Sequence, residues 1–465
     1  MPKISVIITC HNYARFLAQA IDSVLAQTHG EFEIVVVDDG STDHTQEVLA
    51  AYAGHEKVRS IRLEGIGLAS AANAGIRLSS GAYVIRLDAD DYFDENILLV
   101  LSNVLDRHPE YGMVYADYYQ VDKHGKILDH VRQPKINDEV KLLDRSALAA
   151  GAMYRRSCFD TLGGYNEELR RQEDYDFWIR FIDRFKVHNV QLPLMYYRKH
   201  GESMSSVRLH ARTEARRYIK HKFVAESRDL QRRKALCVLP VVAANKYKQN
   251  LALSMVNGRP LFTYALEQAL KVSLFDRVIV DTEDEQIAEE AIRWGAQVPF
   301  LRPRRLSNLD VPRLDVLKHL IKSLNEQEGY TPEIILMSYF NYPFIKAESM
   351  EETVDSLLIY DCDSVISVRE DPQFHWHPAE NGLAPVLFER KMLRDQQWTM
   401  YEERGGLFAL KTTNLATDSF LGRSISFVDV DEWEGLQVNS DLSHWLAEQI
   451  AAKSVPERLL SSHSN

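Results

Sequence analysis

The chain has 465 residues, 45% of them hydrophobic and 26% charged, a composition that fits two or three globular domains and excludes disorder as a description of the whole. Its 67 acidic against 55 basic side chains give a net charge of −12, which argues against general nucleic-acid binding, since that runs on phosphate neutralisation by Lys and Arg. Cys10, Cys158, Cys237 and Cys362 are widely spaced with no CxxC pair, the N-terminus lacks a signal-peptide core, and no run of about 18 apolar residues occurs, so the expected location is the cytoplasm.

From the N-terminus, short β-branched runs alternate with amphipathic helices. Ile4 to Thr9 reads as a buried strand, and Ala14 to Ala26 places Phe16, Leu17, Ala20, Ile21, Val24 and Leu25 on one helical face. Ile34 to Val37 and Tyr83 to Leu87 are further strands; Thr42 to Tyr52 and Asn96 to Arg107 are helices. Such alternation implies an α/β fold with a parallel, helix-covered sheet, whose ligands sit beyond the carboxyl ends of the strands. Residues 1–207 form this first domain.

Residues 208–234 are polar, helix-favouring and basic, with Arg212, Arg216, Arg217, Lys220, Lys222, Arg228, Arg232, Arg233 and Lys234. They read as a helical linker, either with a solvated face or with a patch for an acidic partner or anionic lipid heads. A second α/β domain spans 235–452, with strands at Leu236 to Pro240, Arg277 to Asp281, Ile334 to Met337 and Ser364 to Val368. Its helices are Pro260 to Leu270 and Glu283 to Trp294, the latter stopped by Gly295. His375 and His377 read as loop residues rather than metal ligands, and residues 453–465 as a flexible tail.

The chemistry concentrates at strand ends. Asp38 and Asp39 end one strand, where a helix N-cap with first-turn acids is one reading and a ligand site another. Asp88, Asp90 and Asp91 end the next, and three acids in four positions repel one another without a cation. A hard ion, Mg2+ or Mn2+, binds through one or two carboxylates together with substrate phosphates. Glu173 and Asp174 open the helix that continues through Phe177, Trp178, Ile179, Phe181 and Ile182.

On Ser5-Val6-Ile7-Ile8-Thr9 with Asn12, Val37-Asp38-Asp39-Gly40-Ser41-Thr42-Asp43, Asn73-Ala74-Gly75-Ile76, Leu87-Asp88-Ala89-Asp90-Asp91, Tyr154-Arg155-Arg156 with Gly163-Gly164-Tyr165-Asn166-Glu167, and Glu173-Asp174-Tyr175-Asp176, the first half resembles the family 2 glycosyltransferases of the GT-A fold. The resemblance implies inverting transfer of a sugar from a nucleoside-diphosphate donor, a UDP-sugar being favoured, to a glycan or lipid-linked acceptor in surface polysaccharide synthesis. It assigns Thr9, His11, Asp39 and Asp88 to the donor nucleotide, Asp90 with Asp88 to the metal, His200 as a further metal or diphosphate contact, and Asp174 as general base. Glu173 and Tyr154 are expected on the acceptor side. The chain departs from the family at Ala71-Ala72-Asn73, where many relatives read Ala-Arg-Asn, and at His11, where a tyrosine or phenylalanine is usual.

On Asn257-Gly258-Arg259-Pro260-Leu261, Leu274-Phe275-Asp276-Arg277-Val278-Ile279-Val280, Asp284-Glu285-Gln286-Ile287-Ala288, Val298-Pro299-Phe300-Leu301-Arg302-Pro303 and Asp363-Ser364-Val365-Ile366-Ser367-Val368, the second half resembles the cytidylyltransferases that make CMP-activated nonulosonic acids, a Rossmann-type fold. Its phosphate loop, Pro240-Val241-Val242-Ala243-Ala244-Asn245-Lys246, keeps the Lys246 of the family but not its glycines or arginine. The family's late aspartate pair falls at Gln437 and Asn439, and amides are poor ligands for a hard dication. The expectation is an inactive domain that serves binding, homo-oligomer formation or acceptor presentation, with peripheral contact at the inner face of the membrane. The alternatives are two active halves, one of them a CMP-sugar synthetase, and a non-catalytic sugar-nucleotide-binding scaffold.

Overall fold

A computed structural model describes residues 3–133, 136, 150–200, 209–227, 230, 233–243, 247–308, 310–371, 373–379, 382–386, 400–417 and 419–452, without the side chains of 209–212. Lys246 and the tail 453–465 lie outside the described residues. The chain divides into two compact units, Met1–Ile219 and Lys220–Asn465.

The first unit opens with β1 (Ile4–Cys10), α1 (Ala14–Leu25), β2 (Phe32–Asp38), α2 (Thr45–Ala50), β3 (Val58–Arg62), α3 (Leu68–Leu78) and β4 (Tyr83–Asp88). It continues through β5 (Tyr92–Phe93), α4 (Ile97–Arg107), β6 (Tyr111–Val121), β7 (Ile127–Val131), β8 (Met153–Arg155), α5 (Arg156–Leu162), α6 (Glu173–Ile182) and β9 (Lys186–Arg198), and the division between units falls within α7 (Leu209–Glu226). All seven residues of β1 are buried because helices cover both faces. Ile4, Val6 and Ile8 share a core with Leu17 and Ile21 of α1 and Leu101 of α4; Ile7 shares another with Ala71 and Ala72 of α3 and Phe177 and Phe181 of α6. α3 lies close to the sheet because Gly75 has no side chain, where a Cβ would come within 2.4 Å of Ile7.

The sheet order is β3-β2-β1-β4-β8-β6-β9-β5, with β7 paired to β6. β3, β2, β1, β4, β6 and β9 run in one direction; β8 runs antiparallel to β4 and β6, β5 antiparallel to β9 and β7 antiparallel to β6. The all-parallel expectation is therefore corrected to a mixed sheet. The reversed strands β5, β7 and β8 all follow β4, where the regular alternation of strand and helix breaks down.

Two motifs of the first unit form one clasp. Asn73 of α3 donates to the Tyr165 carbonyl at 2.8 Å and to Glu167 at 2.9 Å, and its carbonyl accepts from the Tyr165 N–H at 2.9 Å. Gly164, at φ +81°, sits where a Cβ would be 2.6 Å from the Asn73 Oδ1. Arg155 and Arg156 are equally structural, Arg155 capping the Tyr111 carbonyl at 2.8 Å and Arg156 the Ile76 carbonyl at 3.0 Å.

The second unit comprises β10 (Ala235–Pro240), β11 (Met255–Val256), β12 (Arg259–Pro260), α8 (Phe262–Lys271), β13 (Arg277–Asp281), α9 (Glu285–Arg293), α10 (Arg313–Glu328), β14 (Ile334–Ser338) and α11 (Ala347–Tyr360). β15 (Ser364–Asp371), β16 (Trp376–Ala379), β17 (Gly382–Pro385), β18 (Met400–Lys411), β19 (Ile425–Asp429) and α12 (Asp441–Ala452) complete it. Its main sheet has the order β13-β10-β14-β18-β15-β19, parallel except for β18 between β14 and β15. His377 is not in a loop but in a hairpin of β16 with β17, and His375 lies 2.9 Å from Asp371.

The basic linker is not a uniformly solvated face. Lys220 is fully buried, its ammonium 3.0 Å from the buried Glu352 of α11. A charge so placed is held by its partner rather than by water.

Candidate active site

The carboxyl ends of β1, β2 and β4 lie side by side, with Thr9 in register with both Val37 and Asp88. Asp38 and Asp39 do not cap a helix. Asp38 is fully buried, accepting from the Ser41 N–H at 2.9 Å and from Gln46. It is Asp43 that meets the start of α2, through the Thr45 N–H at 3.1 Å. Asp39 takes the backbone N–H groups of Ile66 and Gly67 on its two oxygens, each at 2.8 Å. Gly40 makes this closure sterically possible, because its φ is +75° and a Cβ there would sit 2.7 Å from the Gly65 nitrogen. His11 is exposed; its Nδ1 lies 2.7 Å from the Asp39 carbonyl and must therefore carry the proton. Asn12, at φ +61°, joins the same loop by accepting from the Thr42 N–H at 2.7 Å.

Asp88 accepts from the Thr9 hydroxyl at 3.3 Å, and its second oxygen has no hydrogen-bond partner among the described residues. Asp90 lies 2.9 Å from the Nε2 of His200, whose ring packs against Tyr13 and Phe16. Burial, and then the charge of Asp88, raise the Asp90 carboxyl above the ordinary range, with His200 pulling it back. Asp91 faces elsewhere: it is buried, accepts from the Arg198 N–H at 2.8 Å, and is pushed up further by burial and by Asp90 and Asp88. Arg198 binds the Asp90 carbonyl at 2.8 Å and Gln19 at 2.8 Å, fixing the acidic turn against α1.

The donor set suits a hard divalent cation. Burial first, and neighbouring carboxylates second, raise Asp90 and Asp91, and the His200 Nδ1 is buried with no partner among the described residues. No three His, Cys, Asp or Glu side chains gather as a cation cage among the described residues. The chain thus offers two carboxylates, and the other ligands of a bound Mg2+ or Mn2+ would come from substrate phosphates and water.

Arg86, inside the apolar run of β4, was not singled out from the sequence and organises the site. It is 7% exposed, with Nε 3.2 Å from Asp88 and Nη1 3.4 Å from Glu173 at the start of α6. Burial works against its charge, but Asp88, Tyr165, Glu173 and Asp174 outweigh that and hold the guanidinium firmly ionised. Ala72 and Arg86 line one small cavity with Tyr154 and Tyr165. A charged residue between Ile85 and Leu87 was the available signal.

Glu173 and Tyr154 are corrected. Glu173 is buried against Arg86, and burial raises its carboxyl, Arg86 offsetting part of the rise and Asp174 adding to it. Tyr154 is buried among Phe159, Phe177 and Phe181. Neither can meet an acceptor directly. Asp174 is half-buried; one oxygen accepts from the Tyr175 N–H at 2.9 Å and the other has no partner among the described residues. The residue before this pair, Gln172, is in the left-handed region at φ +59° and accepts from Arg216 of α7 at 2.7 Å, while the Arg216 guanidinium lies 4.4 Å from the Tyr175 ring centre.

In the second unit the amide of Ala243 donates to Glu283 at 3.0 Å, placing a carboxylate beside the loop that cradles phosphate in the resembled family. Gln437 and Asn439 hydrogen-bond to each other at 3.0 Å. Asp281 and Arg302 form a buried pair at 2.7 Å.

Residues 5–163 match the family model described as glycosyl transferase family 2. EpsE of Bacillus subtilis (strain 168), which carries a glycosyltransferase name, is 31% identical over 212 residues, covering 43% of this chain and 75% of that protein. The chain belongs to the family 2 glycosyltransferases. The chondroitin synthase of Escherichia coli is 28% identical over 218 residues, 46% of this chain and 31% of that one. The chain spans about a third of the length of the first curated relatives it matches. A crystal structure of S. aureus TarS 1-349 in complex with UDP-GlcNAc is 25% identical, covers 48% of this chain and 66% of that one, and has a TM-score of 0.42. Residues 250–371 match the cytidylyltransferase family model. No described helix is long and apolar enough to cross a membrane.

Proposed function

We propose that this family 2 glycosyltransferase moves a sugar with inversion from a nucleoside-diphosphate donor, a UDP-sugar, to a hydroxyl of a glycan or lipid-linked acceptor during surface polysaccharide synthesis. The observation that carries the reading is the buried Arg86, 3.2 Å from Asp88 and 3.4 Å from Glu173, the neighbour of Asp174 in sequence, with one oxygen of Asp88 and one of Asp174 having no hydrogen-bond partner among the described residues. Asp174 takes the proton of the acceptor hydroxyl as its oxygen bonds to the anomeric carbon and the bond to the diphosphate breaks. Arg86 orients Asp88, and Glu173 positions Arg86. Thr9, His11 and Asp39 line the nucleoside side. Asp88 and Asp90, with His200 alongside, would hold a divalent cation, whose chemistry there would be neutralisation of charge on the leaving diphosphate. The chondroitin synthase name of one relative supports a glycan acceptor.

The second unit is proposed to be non-catalytic, because its loop amide and its late polar pair are engaged by Glu283 and by each other. It would serve binding, oligomer formation or acceptor presentation, with the chain in the cytoplasm at the inner face of the membrane. The test is turnover of UDP-, GDP- and dTDP-sugars by the full chain with Mn2+. Chelation, or Asp90→Ala, is expected to lower turnover by about a hundredfold or more. Turnover that survives both, or is absent with every donor, overturns the reading.

A further inference from the structure

We infer that Arg198 is a positioning residue of the cation site: it holds the acidic turn so that Asp90 stands ready before a cation binds. This rests on the cation reading above and names what sets the affinity of that site.

Asp88 and Asp90 are supported from different sides. Asp88, the last residue of β4, takes the Thr9 hydroxyl at 3.3 Å and the Arg86 Nε at 3.2 Å. Asp90 lies beyond the strand, in a turn closed by the Asp91 N–H on the Asp88 carbonyl at 3.0 Å. The end of β9 grips this turn from outside. The Arg198 N–H donates to the Asp91 carboxylate at 2.8 Å, and its Nε donates to the Asp90 carbonyl at 2.8 Å. Two residues on, His200 lies 2.9 Å from the Asp90 carboxylate.

The rest of the guanidinium is anchored as firmly. Nη1 donates to the carbonyls of Asp122 and Lys123, at 3.3 and 3.1 Å, between β6 and β7, and Nη2 donates to Gln19 of α1 at 2.8 Å. Its central carbon lies 4.6 Å from the Phe16 ring centre and 5.3 Å from that of Tyr92. Arg198 is 2% exposed, yet among the described residues no carboxylate comes within ion-pair distance of its guanidinium. A buried cation ordinarily takes a charged partner. This one gives its donors to three main-chain carbonyls and one amide, contacts that fix where the turn stands.

Charge and position make opposite predictions for this residue. If its charge were what counted, its loss would leave the acidic turn more negative and tighten a bound cation. If position counts, its loss frees the turn, Asp90 must be ordered on binding, and the cation is held more weakly.

The test is titration of the full chain with Mn2+ in the presence of UDP, read by the electron paramagnetic resonance of free Mn2+, with metal-free UDP titrations and melting curves alongside. Arg198→Met is expected to weaken Mn2+ binding about ten- to a hundredfold. Arg198→Lys, which keeps the charge but lacks the planar fork, is expected to recover little of this. Gln19→Ala releases one anchor and is expected to weaken it about two- to tenfold. Metal-free UDP affinity should stay parental throughout. Arg198 variants that bind Mn2+ as tightly as the parent, or more tightly, overturn the inference and leave the cation reading standing. So does an equal loss of metal-free UDP affinity, which marks a general collapse of the site. Should the Arg198 variants fail to fold, parental Mn2+ affinity in Gln19→Ala overturns it. A parent chain that takes up no Mn2+ with UDP overturns the cation reading and the role of Arg198 together.

Discussion

Replacing Arg86 by methionine tests the centre of the site. The guanidinium is 3.4 Å from Glu173, and both side chains are almost fully buried. Removing the cation alone leaves a buried carboxylate uncompensated, a loss of about 3–5 kcal/mol. For a unit of this size that lowers the melting temperature by about 6–20 °C at pH 7.5. The Glu173 carboxyl is already raised by burial, and without Arg86 it rises further. A raised carboxyl favours the folded state fully below its unfolded value of about 4.3 and loses that contribution as pH climbs through the folded value. The deficit of Arg86→Met should therefore shrink on going from pH 7.5 to pH 5, and the double variant with Glu173→Gln should recover part of it at pH 7.5. Calorimetric melts of the parent and three variants at the two pH values measure this. Equal deficits at both pH values, with no recovery in the double variant, would refute the buried pair as the link between the acidic turn and the base helix.

Arg216→Ala should lower kcat about ten- to a hundredfold with UDP affinity unchanged, since Arg216 holds the turn from which Asp174 projects. Arg216→Lys should recover little, lacking the planar fork; steady-state kinetics and UDP titration decide. Gly164→Ala must adopt φ +81° and push aside Asn73, costing about 1–3 kcal/mol, which a melt of the variant will read.

The strand ends were legible because apolar runs followed by acids mark where a covered sheet meets its ligand edge. β1 and β4 begin where the pattern placed them, at Ile4 and Tyr83. The reversed strands were not legible. β8 has only three residues, and its direction depends on β4 and β6 on either side. Tyr154 sits on that strand, so a residue quoted within a motif turned out to be core packing. Glu173 was half legible: four positions before Phe177, it shares that residue's inward face, but the cation that admits it comes from another strand. Lys220 shows the same limit in the linker, where a run of basic residues gave no sign that one meets a buried glutamate 132 positions away.

The most direct measurement is single-turnover transfer by Asp174→Asn. The amide keeps the shape and the Tyr175 contact but accepts no proton from the acceptor. Donor and Mn2+ should bind as in the parent, while transfer falls about 10²–10⁴-fold. Transfer at the parental rate would contradict the assignment of the base.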